Sequence, residues 1–175
     1  MVQPQTFVLT GKERFLASDA IVVSKTDPGG RITYANRTFL DIAGYRENDV
    51  LGRPHNILRH PDMPRAVFKL LWDTIQDGSE IFAYVINRAK NGDHYWVFAH
   101  VTPTFGADNT IIGFHSSRRA PIRKAVQTVT EVYRELKQEE SKFGNPKDAA
   151  AAGLDMLNRK FIGAGGTYED LVFSL

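Results

Sequence analysis

Residues 80–104 read EIFAYVINRAKNGDHYWVFAHVTPT. Two runs rich in β-branched and aromatic residues flank Lys90-Asn-Gly-Asp93, and Asn91-Gly92 is a favoured pair for a two-residue hairpin turn. The second run, His94 to Thr104, alternates: Tyr95, Val97, Ala99 and Val101 fall on one face, and His94, Trp96, Phe98 and His100 on the other. Gly106-Ala-Asp-Asn109 turns the chain again, and Ile111 to Ser117 forms a third run. The pattern predicts three consecutive antiparallel strands.

Upstream, Ala20 to Thr26 has strand composition and Asp27-Pro-Gly-Gly30 is a turn signal, because proline presets one dihedral and glycine accepts positive φ. Ile32-Thr-Tyr34 resumes the hairpin. Phe39, Leu40 and Ala43 then sit at helical spacing, with Gly44 as a C-cap. A short turn runs to Gly52-Arg-Pro54, and Arg59-His-Pro-Asp-Met-Pro64 leads into a second helix. Its stripe is Val67, Leu70, Leu71 and Ile75, widened by Phe68 and Trp72, and Asp77-Gly78 stops it. The order β-β-α-α-β-β-β predicts an α+β domain over 20–119: a five-stranded antiparallel sheet with helices on one face. Residues 1–19 read as a lead-in or cap, and 120–175 as a C-terminal helical extension.

Within that extension, Ile122, Val126, Val129, Tyr133 and Leu136 are spaced 4-3-4-3, a short heptad seam broken at Glu140. Such a helix can act as a lever toward a partner, fold back over the sheet, or pair with a second copy in a homodimer; two to three heptads are short for an independent coiled coil. Gly144-Asn-Pro146 ends one helix and starts another, and Thr167 with Asp170 makes a capping box near the end.

The 175 residues suffice for one domain and an appendage. A hydrophobic content of 42% argues against disorder, and a net charge of +2 is too small for a nucleic-acid footprint. No apolar run is long enough to span a bilayer, and the N-terminus lacks a secretory signal pattern. There is no cysteine, which excludes disulfides, thiolate metal sites and cysteine nucleophiles and fits a cytoplasmic location.

The region from 20 to 118 resembles the PAS sensor fold, and within it the flavin-binding PAS domain of bacterial aerotaxis receptors. Four stretches carry the resemblance: Ile32-Thr-Tyr-Ala-Asn36, Gly52-Arg-Pro-His-Asn56, Arg59-His-Pro-Asp-Met-Pro64 and Asn87-Arg-Ala-Lys-Asn-Gly-Asp-His-Tyr-Trp-Val97. The hexapeptide from Arg59 is the most specific of them. The resemblance implies non-covalent FAD and signalling through the flavin's redox state. It implies polar contacts from Asn36 and Asn87 to the isoalloxazine ring, FAD binding by the segment holding His55, Arg59, His60 and Asp62, and a helix carrying Phe68 and Trp72 beside the cofactor. Ile81-Phe-Ala-Tyr-Val-Ile-Asn87 lacks the tryptophan that such receptors can carry just before this asparagine. Their membrane, HAMP and signalling segments have no counterpart here, so the chain reads as a sensor module needing a signalling protein partner.

The same residues have plainer readings. Asn36 suits a helix N-cap, Arg59 and His60 suit a solvated loop paired with Asp62, and Phe68 and Trp72 suit a core. Asparagine fits a ring edge because its amide donates and accepts, and arginine makes charge-assisted bonds to a pyrophosphate. Five histidines keep a haem-binding or ligand-free PAS adaptor open, but no HExxH or carboxylate-flanked cluster marks a metal site. Light-sensing relatives bond flavin through a cysteine; Gly52 to Arg59 supplies none, which excludes that photochemistry. With no G-x-G-x-x-G, P-loop or Ser/His/Asp pattern, the chain reads as a non-enzyme with no catalytic residues, and a small flavin oxidoreductase is the weaker alternative.

Overall fold

A computed structural model describes residues 8–163 and 165–175. Five strands form one antiparallel sheet in the order β2-β1-β5-β4-β3: β1 (Val22–Thr26), β2 (Ile32–Ala35), β3 (Ile81–Arg88), β4 (His94–Phe105) and β5 (Ile111–Arg119). The β1–β2 and β3–β4 hairpins turn where expected, with Gly30 at φ 77° and Gly92 at φ 92°. Gly92 also admits the N-terminal segment: a Cβ there would lie 2.0 Å from the Val8 carbonyl oxygen. That segment runs along the hairpin, where the Arg14 amide donates to the His94 carbonyl at 2.7 Å. Thr10, Asn91 and Arg14 donate to the Asp93 carboxylate and hold its pKa well below the usual carboxylate range.

Cross-strand register sorts side chains between two faces. Asn87 pairs with Tyr95, Ala99 with Arg118, Val101 with Ser116 and Val22 with Arg118, so all of these share the inner face. Three helices cover it: α1 (Arg37–Ala43), α2 (Glu47–Val50) and α3 (Arg65–Gln76), with a 3-10 turn at His55–Leu58. Val22, Ile32, Phe39, Tyr95 and Val97 are at most 1% exposed in this core.

The outer face of β3 and β4 is covered by α4 (Arg123–Glu140), a π-helical turn at Leu157–Ile162 and α6 (Tyr168–Phe173), while α5 (Pro146–Met156) packs against α3 and α4. The sheet is therefore sandwiched at β3 and β4, with the expected helices on one face and α4 and α6 of the extension on the other. Val126, Val129, Tyr133 and Leu136 pack against Tyr84, Ile86 and Trp96, while Ile122 stays exposed. The heptad seam is thus occupied by the chain's own sheet, and Tyr133 Oη donates to the Tyr84 carbonyl. Asn145 caps α5 with Pro146 in its first turn, and the Thr167–Asp170 capping box opens α6, as the sequence predicts.

Candidate functional site

Between the inner sheet face and α3 lies a mostly apolar cleft with about 720 Å³ of empty space, its open mouth included. Helix α3 supplies Phe68, Leu71, Trp72 and Ile75; the sheet supplies Ser24, Thr26, Asn87, Ser116 and Arg118; His55, Asn56 and Arg59 close the remaining side. The indole of Trp72 stands edge-on to Phe114, ring centres 5.6 Å apart, over the backbone of Gly30.

Five expected site residues meet here: His55, Arg59, Phe68, Trp72 and Asn87. Asn87 is 5% exposed, and its amide makes no hydrogen bond among the described residues. The backbones of Arg59 and Asn87 pair in an isolated antiparallel bridge, which ties the hexapeptide to the edge strand. The Arg59 guanidinium lies 4.8 Å from the Phe68 ring centre and donates to the Met63 carbonyl at 3.3 Å. Burial, with Arg65 nearby, pushes its pKa down.

Three expected residues lie elsewhere. Asn36 is the N-cap of α1: its Oδ1 accepts from the Phe39 and Val23 amides at 2.9 and 3.0 Å, and its Nδ2 donates to the Ile21 carbonyl at 2.8 Å. Three of the four hydrogen-bonding positions of its amide join β1 to the helix, as the plainer N-cap reading has it. His60 and Asp62 turn away into a second groove, shared with His94, Trp96 and Lys137 on the side of α4. His60 Nδ1 accepts from the Asp62 amide at 3.2 Å, and its ring is 5.6 Å from that of His94.

The cleft also holds polar residues that motif reading missed. The hydroxyls of Thr26 and Ser116 are buried without a hydrogen-bond partner among the described residues. Arg118, 5% exposed, donates from Nη2 to Ser24 Oγ at 2.9 Å and to His55 Nε2 at 2.8 Å. Accepting that bond requires an unprotonated Nε2, and burial with the Arg118 charge pushes the His55 pKa down to about 3. A signal for these residues exists: Phe114, Ser116 and Arg118 share the period-2 face of Val101 and Ala99, so β5 aims a hydroxyl and a guanidinium inward. Unmatched hydroxyls, a free amide and aromatic walls fit a flat ring with polar edges. Among the described residues no cluster of three metal-ligating side chains occurs.

Residues 32–118 match the family described as PAS fold. The chain carries a PAS domain. It is 40% identical over 121 residues to the aerotaxis receptor of Escherichia coli (strain K12), a match covering 69% of this chain and 24% of the receptor. It is 29% identical over 98 residues to a blue-light-activated histidine kinase of Rhizobium johnstonii, covering 56% of this chain and 28% of the kinase. The chain thus spans about a quarter of the length of these curated relatives. Among solved structures, the dark state of the blue-light photoreceptor Aureochrome1 LOV aligns with a TM-score of 0.56 at 26% identity, over 65% of this chain and 86% of that one. The PAS domain is of the sensor type these relatives share. No helix among its described residues is long and apolar enough to cross a membrane.

Proposed function

We propose that this PAS domain, residues 20–119, binds FAD non-covalently in the inner cleft and reports redox state or oxygen, in the cytoplasm, to a signalling protein partner. The observation carrying the reading is the pair of buried hydroxyls without a partner among the described residues, Thr26 Oγ1 and Ser116 Oγ, placed with Asn87 in a mostly apolar slot. The sequence resemblance to the aerotaxis-receptor type supplies the flavin.

Bound flavin would supply reversible electron transfer. The chain's residues do the rest. Phe68 and Trp72 exclude water from the ring, Asn87, Thr26 and Ser116 orient its edges, and Arg59 at the margin of the cleft pairs with the pyrophosphate. Blue-light chemistry of the cysteine-adduct kind is not available, because the chain has no cysteine. The domain acts as a sensor and not as an enzyme, and the extension over 120–175 is its output segment: α4 leaves β5 after three residues and lies on the back of the same sheet.

An absorption spectrum of the purified protein, with the released cofactor identified by chromatography, tests the reading. Flavin bands and released FAD are expected; a Soret band or no chromophore overturns it. Arg59→Ala and Asn87→Ala should each lower FAD retention at least several-fold, and wild-type retention in both refutes this placement of the ring.

A further inference from the structure

Resting on the flavin reading above, we infer that Arg118 is the anion-binding group of the cleft and stabilises the negatively charged, reduced form of the bound ring. The guanidinium is buried on the inner face of β5 and lines the cleft. No ion pair among the described residues includes it, although twelve such pairs occur elsewhere. Its partners, Ser24 and His55, are both neutral, and both bonds leave from Nη2. Nε and Nη1 make no hydrogen bond among the described residues, so donors remain for a ligand. Burial lowers the pKa of the group only to about 10, so it stays cationic at neutral pH.

A buried cation paired only with neutral acceptors is an expensive arrangement for a core, and a ligand carrying negative charge relieves it. The uncharged oxidised ring offers no such charge. Two electrons and one proton convert it to a reduced ring with an N–H at N5 and one negative charge spread over its pyrimidine edge. The electrons come from dithionite in the test below. Arg118 binds that charged state better than the neutral one, and differential binding of two states shifts the equilibrium between them. Arg59 differs, because a pyrophosphate carries the same charge in both states.

The test is the midpoint potential of FAD bound to the full chain, set by anaerobic dithionite titration against reference dyes. In the wild type, reduced FAD should bind at least tenfold more tightly than oxidised FAD, a rise of about 30 mV over free FAD for this two-electron couple. Arg118→Gln should retain oxidised FAD and lose that rise, Arg118→Lys should keep part of it, and Arg59→Gln should weaken both states alike. A wild-type potential at or below that of free FAD overturns the inference even if Arg118→Gln fails to fold. So does a folded, FAD-loaded Arg118→Gln with the wild-type potential. If the wild type takes up no FAD, the flavin reading falls and the role of Arg118 with it.

Discussion

Gly30 sets the back of the cleft. Its φ of 77° is a left-handed conformation that side chains rarely adopt, and an added Cβ would lie 2.7 Å from the indole of Trp72. Gly30→Ala therefore combines backbone strain with a forced shift of an aromatic wall. We expect a loss of about 1–3 kcal/mol in urea denaturation, from the φ penalty plus overpacking, together with altered Trp fluorescence and weaker flavin retention. An unchanged urea midpoint would mean that Trp72 has another place to go. His55 makes a second prediction at this scale. Its pKa is about 3 in the folded chain against an ordinary 6.5, so below pH 6.5 the unfolded chain takes up a proton that the folded chain refuses. The stability His55 contributes is complete above pH 6.5 and is lost on acidification, by up to about 1.4 kcal/mol per pH unit. Urea midpoints between pH 7 and 5, above the range where most carboxylates titrate, should fall in the wild type and fall less in His55→Gln; parallel profiles would refute the assignment.

Helices α3, α4 and α5 are locked together by one acid and one glycine. Glu140, 4% exposed at the end of α4, accepts the Ala66 amide at 2.9 Å and so satisfies an open donor at the start of α3. Gly153 of α5 lets the helices approach: a Cβ there would fall 2.9 Å from Ala66 Cβ and 3.1 Å from Glu140 Oε1. Gly153→Val should lift α5 away and break the cap, seen as faster amide exchange at Ala66 and along α5; exchange as slow as wild type would show that the contact tolerates a side chain. None of this packing is legible in the sequence, because it rests on contacts between residues far apart in the chain. The strands are legible, because period-2 alternation and glycine turns are local signals, and so are the caps at Asn145 and Thr167. The stripe on α4 was legible as apolar, but an apolar stripe fits a lever, a partner or a sheet equally well, and only tertiary contact chose the sheet. The candidate site divides the same way. Arg59 and Asn87 came from motifs, and their backbone pairing explains why the two motifs go together. Asn36 belongs to a motif too, but its amide makes three backbone bonds that cap α1 and tie it to β1. Arg118 carries no motif, being one arginine in a strand; its meaning lies in the face it shares.

At the scale of the whole molecule, the extension completes the fold as well as following it. Trp96 and Tyr133 pack with ring centres 5.8 Å apart, and Phe173 of α6 reaches Phe82 at 4.9 Å, so the outer face of β3 and β4 is covered by residues far along the chain. Tyr84, Ile86 and Trp96 are each at most 8% exposed because of that cover. Fully burying one large apolar side chain contributes about 1.5–3 kcal/mol, so three of them represent a large share of the roughly 5–15 kcal/mol that holds a domain together. A chain ended after Arg119 should therefore lose at least half of its urea midpoint and bind a hydrophobic dye such as ANS, which the full chain should not. The same argument bears on signalling. A helix held only by surface contacts could move without cost to the sensor, whereas one that finishes the sheet exchanges stability with the cleft on its other side. If the shortened chain unfolds at the wild-type urea concentration, that exchange does not occur, and α4 would have to carry the cleft's state through its three-residue link to β5 alone.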